Sequence, residues 1–368
     1  MPTVRFIHNS YLNDDGTEHI IGGVQTYMKN LILVYKQKGY NVVIYQFAKK
    51  SFLKEADGAV VRGINCKKNA VKYLVKEAEN EAAENDFLVF ATDFNITKNK
   101  FKKAIAIQHG VAWDITSDVK CSDFANIINI FKDSVRACIK YIRFKHCTDI
   151  VCVDYNFINW YRTKVKHIDV KLHTIPNFTD IPQKKIYNNS SRVSIIFARR
   201  FQVYRGTRLF TEVIKGLLDN RDDIDITIAG EGPDETWLKK NLDKYKNVKF
   251  MKFEAKDSLE IHRQYDIAVV PTIGSEGTSL SLLEAMAAGC AVIATNVGGM
   301  TNIILDGYNG IMINPDRQEL NVAINILINN FELRKKISEK AYETVKSSFS
   351  LDKWRDKWLD VIEEVENR

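Results

Sequence analysis

The stretch from Gly274 to Gly299, GSEGTSLSLLEAMAAGCAVIATNVGG, limits the possible folds most severely. It follows an apolar run, Ile267 to Val270, that reads as a buried strand closed by Pro271-Thr272. A polar turn carrying Glu276 comes next. The pattern then predicts a helix with Leu280, Leu283, Ala287 and Ala288 on one face and Thr278 or Ser279 as its N-cap. Gly289 ends that helix, and Ala291 to Ala294 is the next strand. Strand, turn, helix and strand make a βαβ unit. The helix N-terminus is an anion site, because unpaired amides and the macrodipole both favour negative charge there. Glu276 and Glu284 lie eight positions apart, roughly 12 Å at helical rise. That is about the length of a pyrophosphate with a sugar at each end.

The same alternation runs through both halves of the chain, which predicts an α/β protein of two doubly wound parallel sheets. In the first half, strands are expected at 4–8, 42–45, 60–61, 87–91, 104–108, 149–153 and 170–175. Helices are expected at 24–37, 69–85, 124–147 and 156–166. The polar segment from Pro182 to Ser191 is the clearest shift in composition and is expected to be the interdomain linker. Strands then recur at 193–198, 224–229, 248–253, 267–270, 291–294 and 311–313. Helices are expected at 207–219, 236–244, 258–265, 299–305, 318–329, 332–346 and 351–366. The expected domains are 1–178 and 179–350, with 351–368 packing back on the first. Two such sheets facing a central cleft would share the ligand loops at their strand C-termini.

No apolar run approaches the ~20 residues of a membrane span, and the first residues enter a strand pattern directly, so no signal peptide is expected. The six cysteines show no CxxC pairing, which favours a reducing cytoplasm over disulfides or zinc. Charge is uneven. Residues 1–175 hold 26 Lys+Arg against 18 Asp+Glu, a balance of +8, and the remainder holds 27 against 28. The basic half, and the predicted helix at 124–147 with Phe131, Lys132, Arg136, Lys140, Arg143 and Lys145, fit an anionic membrane surface. A lysine-rich solubilising surface and an ordinary buried helix with snorkelling cations are the plainer readings.

The second half offers two sets of parts for binding a diphosphate. One is the helix start at Gly277, Thr278, Ser279 and Leu280. The other is the loop Arg199 to Gly206, in which Arg200 and Arg205 can reach a diphosphate through charge-assisted hydrogen bonds. Glu284 can accept both hydroxyls of a ribose, and Glu276 sits at the sugar end. In the first half, Gly22-Gly23 between strand and helix allows close backbone approach, and His109 stands at a strand end, where α/β sheets bind ligands.

These residues resemble the retaining GT-B glycosyltransferases of family 4. Glu276 and Glu284 reproduce the E-x7-E motif, and RFQVYRG from Arg200 to Gly206 resembles the R-L-x-x-x-K-G loop. Ile175-Pro176-Asn177, the GEGP turn at Gly230 to Pro233, Gly22-Gly23 and His109 fall in the family's order. The resemblance implies a GT-B fold and transfer of a hexose-type sugar from a UDP- or GDP-sugar to a saccharide or lipid-linked saccharide. Surface polysaccharide or glycan assembly at the inner face of the membrane is the implied setting. It also implies that Arg200 and Arg205 neutralise the diphosphate, Glu284 binds ribose and Glu276 holds the donor sugar. The amides of Gly277 to Leu280 would cap the phosphates. Gly22-Gly23 would close from the other domain, and His109 would contact sugar or reacting oxygens. No metal, other cofactor or nucleic acid is expected.

Four positions depart from the pattern: Arg199 and Phe178 stand in place of glycines, as does Glu254 near the base pocket, and Asp154 in place of a serine. A dehydrogenase would need G-x-G-x-x-G, which residues 9–23 lack. A sugar-nucleotide epimerase or hydrolase on the same fold, and a non-catalytic nucleotide-sugar binder at a membrane, are the remaining rivals.

Overall fold

Two largely parallel sheets carry the chain, and each forms its own compact unit. The computed structural model describes every residue except 21, 67–69, 111–122, 166–168, 188 and 275, and all side chains but those and 123–126. The segment 111–114 after His109, Cys121, and the expected helix ends at 69 and 166 lie outside the described residues.

The first unit holds Met1–His109, Lys120–Pro176 and Arg355–Arg368, and Gly110 groups with the second. Its strands are β1 (Thr3–Ile7), β2 (Asn41–Phe47), β3 (Phe52–Ala56), β4 (Ala59–Ile64), β5 (Phe87–Phe90), β6 (Lys103–Gln108), β7 (Asp149–Cys152) and β8 (Lys171–Thr174). They lie in the order β3-β4-β2-β1-β5-β6-β7-β8, all neighbours parallel except the β3–β4 pair. Helices α1 (Gly23–Gln37), α2 (Val71–Asn80), α3 (Asp123–Phe144) and α4 (Tyr155–Lys164) connect them. The central strands are continuous apolar runs, such as Phe87–Phe90, because a parallel sheet is covered on both faces. Arg5 is the charged exception in β1. Its guanidinium donates to Asp86 (2.9 Å) and to the Tyr45 hydroxyl (2.8 Å), so the buried charge is paired.

The second unit, Asn177–Trp354, holds β9 (Val193–Ala198), β10 (Ile224–Ala229), β11 (Val248–Met251), β12 (Ile267–Val270), β13 (Ala291–Thr295) and β14 (Ile311–Ile313). Its helices are α5 (Thr207–Leu218), α6 (Glu235–Leu242), α7 (Ser258–His262), α8 (Leu280–Ala287), α9 (Arg317–Asn329) and α10 (Phe331–Ser348). The sheet is wholly parallel in the order β11-β10-β9-β12-β13-β14. Successive strand residues serve two cores, as the period of two requires. Ile195, Phe197, Ile267, Val269, Ala291 and Ile293 pack with α5 and α9. Ile196, Ala198, Ala268, Val270, Val292 and Ala294 pack with α8 and α10.

A final helix, α11 (Leu351–Glu366), starts in the second unit and ends in the first. Within the first unit it buries Trp358, Val361, Ile362 and Val365. The Trp358 indole N–H donates to the Tyr27 hydroxyl at 2.8 Å. Glu366 takes the Lys38 ammonium at 2.7 Å, and Asp149 accepts from His173 (2.7 Å) and Arg368 (2.6 Å).

Several expectations need correction. Pro182 to Ser191 is not a free linker. Tyr342 donates to the Pro182 carbonyl at 2.9 Å and Lys185 to that of Tyr265, which ties the segment to the second unit. The passage between units falls at Pro176/Asn177. The helix expected at 299–305 is a 3-10 turn, Gly298–Asn302. Strand β3 was not foreseen, because it is a half-exposed antiparallel edge without clear alternation. Asp154, a departure from the family pattern, is the N-cap of α4 and accepts from the Phe157 amide at 3.1 Å.

Trp358→Ala removes a fully buried indole and leaves the Tyr27 hydroxyl without its donor. The expected cost is about 3–5 kcal/mol, read as a lower denaturant midpoint, whereas replacing the exposed Lys353 changes little.

Candidate functional site

In the second sheet the strand order reverses between β9 and β12, which are hydrogen-bonded neighbours. Loops leaving such a pair diverge and open a crevice at the strand C-termini. The loop after β9 contains a 3-10 turn, Val203–Arg205, and ends at Gly206. Gly206 has φ +85°, and a Cβ there would meet the Pro271 carbonyl oxygen at 1.8 Å. Only glycine lets the two loops touch backbone to backbone. The Ile273 amide adds a bond to the Tyr204 carbonyl at 2.9 Å.

This contact brings Glu276 to the arginines. Its Oε2 accepts from Arg199 Nη2 at 2.7 Å, from the Thr272 hydroxyl at 3.1 Å, and from Arg205 Nη1. Arg199 also donates to the Thr272 hydroxyl. The Arg199 side chain is 4% exposed and that of Arg205 26%. Burial alone would raise the Glu276 carboxyl, but the charges and hydrogen bonds of Arg199 and Arg205 hold it below its ordinary value, so it is ionised. Behind it, Gly298 has φ +53° and lies where a Cβ would strike the Glu276 carbonyl oxygen at 2.0 Å. The Gly299 amide donates to that oxygen at 2.9 Å and fixes the backbone of Glu276.

Arg200, expected with Arg205 to neutralise a diphosphate, is exposed, whereas Arg199, the departure from the family pattern, is buried against the carboxylate. Thr272, four positions before Glu276, was also missed, and no sequence signal marked it.

Gly277, Thr278 and Ser279 lead into α8, where Leu280 is the first helical residue. Ser279 holds the N-cap position with extended backbone, but its hydroxyl makes no capping bond. The Asn177 side chain donates to the Thr278 carbonyl at 2.7 Å, which gives the Ile-Pro-Asn motif a task in shaping this turn. The buried face of α8 differs from the expected one: Leu282, Leu283, Ala285, Met286 and Ala287 are buried, while Leu280, Ser281 and Glu284 are partly exposed. Glu284 accepts from the Ser258 hydroxyl at 2.6 Å. Burial pushes its carboxyl up to about 7, with the Ser258 bond opposing.

In the first unit, Gly22 is the N-cap of α1 and Gly23 its first residue, so unpaired amides stand at the C-terminal edge of the sheet. His109 follows β6. Its Nε2 donates to the Ala91 carbonyl at 2.9 Å, which leaves Nδ1 as an acceptor, and burial pushes its pKa down to about 4. The Tyr27 ring of α1 meets it edge-on at 5.2 Å. His8, at the end of β1, is a residue the sequence did not single out. Burial and the neighbouring His109 push it down to about 4, and Gln25 contacts its Nε2 at 3.3 Å. Both imidazoles are neutral at pH 7.

Comparison with known proteins agrees with this geometry. Residues 179–344 match the family described as glycosyl transferases group 1. A glycosyltransferase of Methanocaldococcus jannaschii is 27% identical over 286 residues, 73% of this chain and 70% of its own length. A second from that organism is 26% identical over 351 residues, 90% and 92% of the two chains. Phosphatidyl-myo-inositol mannosyltransferase of Mycobacterium leprae is 23% identical over 47% of this chain and 46% of its own. Among solved structures, sucrose-phosphate synthase of Thermosynechococcus elongatus overlays with a TM-score of 0.77 at 12% identity, covering 99% of both chains. Anabaena HepE, solved with UDP, gives 0.74 at 14% identity over 98% and 100%. The architecture is that of the GT-B glycosyltransferases, with two Rossmann-like α/β domains. The match to glycosyl transferases group 1 lies wholly within the second domain.

Glu284 yields a stability prediction. Its carboxyl keeps its proton in the folded state up to about pH 7, while in the unfolded chain it ionises near 4.5. Stability that is full below pH 4.5 is thus lost as pH rises towards 7. Glu284→Gln should melt higher than wild type at pH 8, by on the order of 2 kcal/mol, and the two should converge at pH 4. Equal melting at both pH values would count against this ionisation.

Proposed function

We propose that the protein is a retaining, metal-independent glycosyltransferase of family 4. It moves a hexose-type sugar from a UDP- or GDP-sugar to a saccharide or lipid-linked saccharide in surface polysaccharide or glycan assembly. One observation carries this reading: an ionised Glu276 paired with Arg205 at the switch point, beside the N-terminus of α8. A carboxylate for sugar hydroxyls, a cation and helix-start amides for a diphosphate, and Glu284 further along the helix for a ribose follow one another in the order of a sugar nucleotide.

In this reaction the departing diphosphate gathers negative charge. Arg205, Arg200 from the exposed side of the same loop, and the amides of Gly277 to Leu280 stabilise it electrostatically. Glu276 is held by two guanidiniums and a hydroxyl, an arrangement that makes it a weak nucleophile and a good acceptor for sugar hydroxyls. This supports front-side displacement, in which the leaving phosphate oxygen takes the acceptor's proton and the anomeric configuration is kept. His109, neutral and with Nδ1 free of the Ala91 bond, accepts from a hydroxyl of the sugar. The amides at Gly22 and Gly23 provide a second anion contact.

The acceptor side is read from α3. Ile127, Ile130, Phe131 and Ile142 are each more than half exposed, as is the neighbouring Phe94. Ala137, Lys140 and Phe144 form the buried side, and Lys140 pairs with Asp93. Lys132, Arg136 and Arg143 lie among the exposed apolar side chains. Among the described residues no helix is long and apolar enough to cross a membrane. An apolar and basic helix surface fits the interface of an anionic bilayer, where a lipid-linked acceptor is found. Two relatives, the phosphatidyl-myo-inositol mannosyltransferase of M. leprae and a lipopolysaccharide N-acetylglucosaminetransferase of Salmonella typhimurium, are named for acceptors of this kind, which supports the reading.

A thermal-shift screen of UDP- and GDP-sugars tests the donor, since only a bound nucleotide raises the melting point. With the donor so found, Arg205→Ala should lower turnover about 100- to 1000-fold with the fold intact, and EDTA should leave the wild-type rate unchanged. A fully active Arg205→Ala enzyme would sink the reading. For the membrane, sedimentation with phosphatidylcholine vesicles should show no binding, and vesicles containing phosphatidylglycerol should bind the protein at low salt. Phe131→Asp should weaken that binding at least tenfold or so; equal binding to both vesicle types would refute the role given to α3.

A further inference from the structure

Glu276 is shared by two cations of unequal freedom. Arg205 sits on the 3-10 turn, is 26% exposed, and stacks over the Tyr204 ring at 5.1 Å. Arg199 is 4% exposed, and its two terminal nitrogens are both committed, one to Glu276 and one to Thr272. When a diphosphate enters beside α8, its negative charge competes with Glu276 for the exposed guanidinium. Arg199 cannot follow, because leaving Thr272 and Glu276 would strand a buried charge. Among the described residues the charged groups facing Glu276 are these two arginines, so the departure of one leaves a single cation.

We infer that Arg199 is a positioning residue that anchors Glu276 and keeps it charged while Arg205 moves across to the donor's diphosphate. This rests on the donor reading above and adds a division of labour to it: one arginine is fixed on the carboxylate and one is handed to the phosphates. It also accounts for a buried arginine where the family pattern has glycine. Because the Arg199 side chain is buried beneath Glu276, it acts on the sugar only through that carboxylate.

Without Arg199, the hand-over would leave Glu276 buried with no cation. Burial is the largest influence on that carboxyl and acts to raise it. It would then take up a proton as the nucleotide binds. In wild type the remaining guanidinium prevents this.

The test is calorimetric titration of the full chain with UDP and with GDP at pH 6, in buffers of different ionisation enthalpy, which counts protons exchanged on binding. Wild type, Arg199→Met, Arg199→Lys, and Arg199→Met combined with Glu276→Gln are compared. Protons from Glu284 and from the nucleotide itself are common to all four and cancel in the differences. Arg199→Met should take up about one proton more per nucleotide than wild type. Arg199→Lys should return to the wild-type count, and so should the double variant, which has no carboxyl at 276. Should Arg199→Met not fold, Arg199→Gly, the residue of the family pattern, takes its place. A proton count equal to wild type in a folded Arg199→Met or Arg199→Gly protein overturns the inference. Wild type that binds neither UDP nor GDP overturns the donor reading instead, and the inference with it.

Discussion

Much of the second domain is arranged around one buried carboxylate. An ionised glutamate removed from water costs several kcal/mol unless cations and hydrogen-bond donors meet it. Glu276 meets that requirement only because two loops from neighbouring strands converge. Gly206 presses the β9 loop onto Pro271, and Gly298 brings the backbone after β13 against the Glu276 carbonyl. Both glycines have positive φ, and neither position has room for a side chain. The strand order β9 beside β12 supplies the crevice, and the glycines supply the distance of approach. Sheet topology, loop geometry and charge pairing thus depend on one another at a single point.

The first domain presents a different kind of surface at the corresponding edge of its sheet. His8 and His109 are both neutral, and the unpaired amides of α1 begin at Gly22-Gly23. Neutral imidazoles accept or donate hydrogen bonds without adding charge. Charged side chains meet instead in the second domain, where Arg199 and Arg205 pair with Glu276.

The central architecture was legible because fully covered parallel strands must be continuous apolar runs, as Ile267–Val270 and Phe87–Phe90 are. Its edges were not. Strand β3 is half exposed, and Gly298–Asn302, rich in residues that disfavour an α-helix, closes only a 3-10 turn. Polarity between Pro182 and Ser191 reported exposure to water, which a tethered segment also has. At the site, Glu276, Arg205, Glu284 and the start of α8 could be read from spacing. The choice between Arg199 and Arg200 could not. The ladder continues one residue past β9, with the Arg199 amide donating to the Ala229 carbonyl at 3.0 Å. That keeps the Arg199 side chain in the strand's alternation and turns it inward, while Arg200 faces solvent. A one-residue difference in where pairing stops reverses which side chain is buried.

The helix α11 gives the chain an unusual order of completion. Residues 1–176 contain every strand of the first sheet, yet the side chains of Trp358, Ile362 and Val365 that seal it are 180 residues and more further along. During synthesis the second domain has all of its strands before the first domain has its last helix. The domain made first therefore keeps an apolar surface uncovered until α11 follows.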